Sequence, residues 1–199
     1  PSYKCGYRSW WGFETLPEVN ENDPAYRNFI CGKGGVIDYW MELGASGFRL
    51  DVADELPDAF LDRVYQTVKS FGEDKIVIGE VWEDASNKVS YGALREYFLG
   101  SELDATMHYP FRTAVLDFLL GKIHAQAACD AFWTIQEHYP KENLYAALNL
   151  IGSHDRARVL TVLGGDVNAL KMAMFLQFAL PGVPSIYYGD EAGMTGGTD

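Results

Sequence analysis

The chain has 199 residues, 48% of them hydrophobic, which is enough for one sizeable core and too apolar for global disorder. Its formal charge of −12 argues against nucleic-acid backbones and anionic membranes as partners and fits a neutral substrate. Cys5, Cys31 and Cys129 are scattered, with no Cys-x-x-Cys or Cys/His cluster, which favours free thiols and a reducing, cytoplasmic setting over a secreted one.

No signal-peptide pattern and no membrane-length apolar run is present. The first residue is Pro, so the expectation is a processed chain or a piece of a longer one.

The opening, Pro1 to Asn20, is aromatic and Gly-rich and reads as a loop. Asp23-Pro24 then supplies an N-cap followed by Pro at the first helical position. The pattern predicts a helix running from there towards Leu43, weakened at Gly32-Lys33-Gly34-Gly35, with Gly44 as its stop. Gly47–Val52 reads as a buried strand. From Pro57, the apolar residues Phe60, Leu61, Val64 and Val68 recur at helical spacing. Lys75–Glu80 is predicted as a second strand, rich in Ile and Val.

A helical stretch is predicted around Gly92–Leu99, a short strand near Ala105–His108, and helices from Pro110 and over Ala125–His138. Ala146–Ile151 reads as a strand, Asp166–Leu180 as a helix closed by Pro181-Gly182, and Ser185–Tyr188 as the last strand. The end, Gly193 to Asp199, reads as a flexible tail. Five strands alternating with helices predict an α/β fold of parallel βαβ units. The unbroken apolar runs predict strands buried on both faces. Trp40 and Trp133 fall in helical patterns and are expected in the core.

In such a sheet, functional groups gather at the carboxyl ends of the strands. Asp51, Glu80 and Asp155 each follow an apolar run, at spacings of one and then about two strand-helix units. Arg49, two residues before Asp51, faces the same side of its strand and would keep that carboxylate ionised. Glu80 has the neighbours a proton donor needs, Asp51 for negative charge and Trp82 for desolvation. Neighbouring strands lie about 4.8 Å apart, close to the roughly 5–5.5 Å between the two working carboxyls of retaining glycosidases. Taken singly, each residue has an ordinary reading: an Asp caps a helix, a Glu pairs with a Lys, His154 fills a hydrogen-bonded structural place. Trp10, Trp11, Tyr187 and Tyr188 would pack as core or rim. Together, the three carboxylates point to glycosidic bond cleavage.

The joint pattern resembles the α-amylase family, glycoside hydrolase family 13. Gly47-Phe48-Arg49-Leu50-Asp51-Val52-Ala53-Asp54-Glu55 resembles the strand-four motif with its nucleophile, and Gly79-Glu80-Val81-Trp82-Glu83 the strand-five motif with its acid/base. Ser153-His154-Asp155 resembles the strand-seven motif, and the segment from Gly182 to Glu191 that of strand eight. The resemblance implies Asp51 as nucleophile, Glu80 as general acid/base and Asp155 as transition-state stabiliser. Arg49, His154, Trp82 and Arg158 would assist as substrate-binding residues. It implies a partial TIM (β/α)8 barrel, strands four to eight over residues 23–199, with residues 1–22 ending the insertion after strand three.

Leu16-Pro17-Glu18-Val19-Asn20 resembles the Met-Pro-Lys-Leu-Asn element of neopullulanases and cyclomaltodextrinases, with Glu18 in place of Lys. The expected substrates are therefore α-glucans: maltooligosaccharides, cyclodextrins, pullulan or starch. Transglycosylation on the same residues, or a non-catalytic scaffold relative, are the competing expectations. No cofactor is implied. Many family members bind calcium, and the resemblance leaves calcium open, but no acidic loop here has a Ca²⁺ ligand spacing and no residue is assigned to a metal. Nothing matches strands one to three. The expectations that follow are self-association and little or no activity of the chain by itself.

Overall fold

The computed structural model describes residues 6–100 and 102–198; Cys5 and the last residue of the expected tail, Asp199, lie outside them. The opening loop makes a short 3-10 turn at Trp10–Gly12 and is closed by a bridge between Ser9 and Pro17. Helix α1, Pro24–Cys31, starts where Asp23 accepts hydrogen bonds from the backbone N–H groups of Ala25 and Tyr26. The single helix expected towards Leu43 is instead two, because α2 begins afresh at Val36–Glu42. The cause is a tight corner: a Cβ at Gly32 would overlap the Asn28 carbonyl oxygen, so the backbones approach as only glycine allows.

Strand β1, Gly47–Leu50, leads through a 3-10 turn at Ala53–Glu55 into α3, Asp58–Lys69, which buries Phe60, Leu61, Val64 and Val68 as its spacing predicts. Strand β2 is Ile76–Gly79. The helix expected around Gly92–Leu99 does not form. An antiparallel hairpin stands at its start, β3 (Val89–Ser90) and β4 (Ala93–Leu94), turning at Tyr91 and Gly92, whose φ values are 52° and 81°. Two successive positive φ angles are what a two-residue hairpin loop needs and what a helix forbids.

Strand β5 is Ala105–Thr106, followed by helices α4 (Tyr109–Leu119), α5 (Ala125–His138) and α6 (Lys141–Ala146). Then come β6 (Leu148–Leu150), the short α7 (Val159–Val162), α8 (Val167–Ala179) capped by Asp166, and β7 (Val183–Ser185). The last strand thus sits earlier than Ser185–Tyr188. Its pairing partners are Leu148 to Leu150, and beyond Ser185 the rings of Tyr187 and Tyr188 turn onto the Arg158 guanidinium instead.

β1 pairs in parallel with β2, β2 with β5, and β6 with β7. A parallel bridge from Met107 to Leu148 joins the two sets, so the parallel strands follow chain order along one arc. The helices cover one face of this arc with two apolar clusters. One centres on Leu61, Val64, Val68 and Val77, the other on Phe111, Val115, Ile151 and Val159. The opposite face is less covered: Val77 is buried, whereas its neighbours Ile76 and Ile78, and Leu148, are half-buried. Burial on both faces, expected from the apolar runs, is therefore not complete in this chain.

Trp40 and Trp133 are exposed, not core, because Ile37 and Met41 take the inward face of α2, and Ala128 and Ile135 that of α5. The glycine-rich end is not a free tail throughout: Gly196 accepts from the Arg158 N–H at 3.1 Å and donates to Thr161 Oγ1 at 2.9 Å. No helix among the described residues is long and apolar enough to cross a membrane.

Candidate active site

Asp51 and Glu80 leave neighbouring strands at one level, since Leu50 and Gly79 are partners in the β1–β2 register. Arg49, on β1, ties them together. Its guanidinium hydrogen-bonds Asp51 Oδ1 and lies 3.1 Å from Glu80 Oε2. The two carboxylates differ in exposure. The Asp51 side chain is 73% exposed, that of Glu80 6%. A buried carboxylate requires partners, and Glu80 has an ion pair with Arg49 and two hydrogen-bond donors. Besides Arg49, the Val52 N–H donates to Oε2 at 2.9 Å and the Trp82 indole N–H to Oε1 at 2.8 Å.

Val52 adopts φ 42°, ψ 54°, a left-handed conformation that is a clear outlier for a β-branched residue and costs about 1–3 kcal/mol. That bend turns its N–H onto Glu80, and the Glu80 carbonyl in return accepts from the Ala53 N–H at 3.2 Å.

Asp155 comes from the loop after β6. The loop leaves its strand at Gly152, where a Cβ would overlap Asp190 Oδ2, so a side chain there would displace Asp190. Asp190 is buried against Arg158 at 3.3 Å; burial pushes its carboxyl up and Arg158 opposes that. Asp155 Oδ2 lies 3.3 Å from His154 Nε2, an ion-pair separation without hydrogen-bond geometry.

Asp51, Glu80 and Asp155 line one open cleft of about 890 Å³, with Trp82, Trp10 and Trp11 among its walls. Trp10 and Trp11 stack at 4.9 Å between ring centroids, and Trp11 is 73% exposed. Arg49 meets the cleft through the two carboxylates it binds. His154 and Arg158 are not among its lining residues: His154 is largely exposed beside Asp155, and Arg158 is buried against Tyr188 and Asp190.

Several lining groups escape a reading of the sequence. Glu55 accepts from the Trp11 indole N–H at 3.2 Å and from the Tyr91 hydroxyl at the hairpin tip. Lys88 pairs with Asp54 at 3.0 Å and with Glu83. Arg95 fixes the same turn from behind, donating to the carbonyls of Asp54 (2.8 Å) and Leu56 (2.7 Å) and to Asp58 at 2.7 Å. The charged and aromatic residues crowded between Glu83 and Tyr97 are the signal that could have found them. Among the described residues, no group of three or more His, Cys, Asp or Glu is placed to hold a metal ion.

The arrangement offers one open carboxylate, one enclosed carboxylate held by an ion pair and two hydrogen-bond donors, and a third carboxylate on another loop, all facing one aromatic-walled cleft.

The family model described as "Alpha amylase, catalytic domain" matches residues 7–198. A cyclomaltodextrinase of Geobacillus thermopakistaniensis is 38% identical over 92% of this chain and 30% of its own length. An amylopullulanase of Thermoanaerobacter thermohydrosulfuricus is 34% identical over 97% of this chain and 15% of its own. Among solved structures, a cyclic alpha-maltosyl-(1→6)-maltose hydrolase from Arthrobacter globiformis in complex with maltose superposes with a TM-score of 0.89 at 34% identity, covering 98% of this chain and 42% of that one. The chain thus spans about a third or less of the curated relatives it matches. The chain belongs to the alpha-amylase family.

Proposed function

We propose that this member of the alpha-amylase family carries the working carboxylates of a retaining hydrolase of α-glucosidic bonds in α-glucans. One observation carries the proposal: Arg49 shares its guanidinium between Asp51 and Glu80, at adjacent strand ends, in a cleft that Asp155 completes. The names of the relatives, cyclomaltodextrinase and amylopullulanase, and the maltose-based substrate of the Arthrobacter globiformis hydrolase support α-glucans as the substrate class.

In this reading, the exposed Asp51 attacks the anomeric carbon while Glu80 gives its proton to the leaving oxygen. A covalent glycosyl-enzyme results. Glu80, now a carboxylate, takes a proton from water, which displaces Asp51 and restores the original configuration. Arg49, which donates to Asp51 and pairs with Glu80, stabilises whichever carboxylate is charged at each step. Asp155 binds sugar hydroxyls and stabilises positive charge at the ring. Trp10 and Trp11 offer stacking faces along the cleft wall.

The parallel strands correspond to strands four to eight of a TIM barrel, with residues 1–22 as the end of the preceding loop. The half-covered inner face supports two further parts of the reading: the 199-residue chain by itself turns over little α-glucan, and it associates with itself.

The test is Glu80→Gln in the enzyme that carries this chain. Turnover of maltooligosaccharides should fall by roughly 10²–10⁴-fold while sugar binding remains. Survival of turnover would remove Glu80 from its role.

A further inference from the structure

We infer that Arg156 is a positioning residue that holds the Trp82 indole where it donates to Glu80. The inference rests on the proposed role of Glu80 and deepens it. Trp82 is 39% exposed, so burial alone does not fix its ring. Its indole N–H nevertheless sits 2.8 Å from Glu80 Oε1. Two contacts orient the ring. The Arg156 Cζ lies 4.0 Å from the indole centroid, and the Tyr109 ring stacks on Trp82 at 4.7 Å with an interplanar angle of 24°. Arg156 is also 5.9 Å from the Tyr109 ring, so the three groups form a closed triangle.

The triangle spans three strand ends. Trp82 follows β2, Tyr109 opens α4 just after β5, and Arg156 follows β6, with β5 lying between β2 and the β6 bridge. Tyr109 is buried, its hydroxyl lies 3.2 Å from Ser153 Oγ, and the Arg156 N–H donates to the Ser153 carbonyl at 3.2 Å. The loop that presents Asp155 is therefore tied through Arg156 to the ring that holds Glu80.

The setting of Arg156 is otherwise unfavourable. Its Nε is buried without a hydrogen-bond partner. It also lies near a second cation, Arg112, whose guanidinium is depressed by burial and then by Arg156. A guanidinium held there draws on the ring faces for its attraction. In return, a cation against an indole draws electron density from the ring and makes its N–H a stronger donor to a carboxylate.

The experiment follows the Trp82 indole N–H by ¹⁵N-correlated NMR in the 199-residue chain, the signal being identified by its loss in Trp82→Phe. In Arg156→Met the signal should move towards that of a free indole and exchange with solvent about tenfold faster. Arg156→Lys, which keeps a cation without the planar group, should fall between. If Arg156 only supports the fold, Arg156→Met lowers the melting temperature and leaves the shift and exchange rate of this signal in place, and the inference is overturned. Should Arg156→Met not fold, Arg156→Lys and Arg156→Gln decide on the same two readouts, unchanged values again overturning it. The readout needs no turnover, so its failure is separable from failure of Glu80→Gln to abolish activity.

Discussion

Tyr97 donates its hydroxyl to Asp54 Oδ1 at 2.6 Å from a fully buried ring, and Lys88 holds the other oxygen of the same carboxylate at 3.0 Å. Burial, then the hydrogen bond to Asp54, pushes the Tyr97 phenol far above its ordinary range, so it acts as a donor throughout the working pH. Removing that hydroxyl leaves a partly buried carboxylate oxygen short of a partner. Tyr97→Phe should cost about 1–3 kcal/mol in urea unfolding. A change within error would mean that Lys88 alone satisfies Asp54.

Arg49 is the group on which both strand-end carboxylates depend. Arg49→Met should lower kcat/KM of the enzyme carrying this chain by roughly 10²–10³-fold, the range seen when one preorganised donor is removed. Far-UV circular dichroism should be unchanged, since the side chain projects at the cleft. An unaltered kcat/KM would show that the shared ion pair is not part of the chemistry.

Glu102 gives the chain a pH-dependent stability. It is buried, and burial first, then Asp58, pushes its carboxyl up to about 7 from an ordinary 4.5, against the opposing pull of Arg95. Because the folded value is raised, the protonated acid is the form the fold favours. Its contribution is complete below about 4.5 and is lost as pH rises through about 7. Glu102→Gln should therefore be more stable than the parent above neutrality, by on the order of 3 kcal/mol at most, and indistinguishable from it in mild acid. Urea midpoints measured at about pH 4 and about pH 8 check this, and parallel shifts at both would refute it.

Exposed aromatic side chains lie at both ends of the strand arc. Tyr39 and Trp40 stand on α2, which precedes β1 in the chain and packs on α1 and α3; Phe175 and Phe178 stand on α8, beside β7. The chain should associate with itself as its concentration rises, as seen by multi-angle light scattering. Trp40→Glu together with Phe178→Glu should return it towards a single mass. A single-mass monomer at all concentrations would count against association.

Much of this was legible in the sequence because strands announce themselves locally. The runs ending at Asp51 and Glu80 are apolar, β-rich and closed by a charge, and the paired register places both residues side by side. What was not legible depends on contacts between distant segments or on backbone signs that composition does not carry. Tyr91 takes a positive φ, so a stretch with helical spacing becomes a hairpin. Arg158 follows Asp155 closely in the chain, yet its partners are Tyr188 and Asp190, far along it. Trp40 looks like core by residue type, and the choice of Ile37 and Met41 as the inward pair turns it outward. Arg156 meets Trp82 across an intervening strand, a proximity that no local period encodes.

The chain order of the parallel strands also bears on how the chain acquires its shape. Each strand of the arc pairs with the parallel strand made just before it, so every pairing closes a loop of one to three elements. The entropic toll of long-range closure is never met in a single step. A chain emerging from the ribosome can lay β2 against β1 while β7 is still unmade, and the ledge that holds Asp51 and Glu80 is the part of the cleft that assembles first.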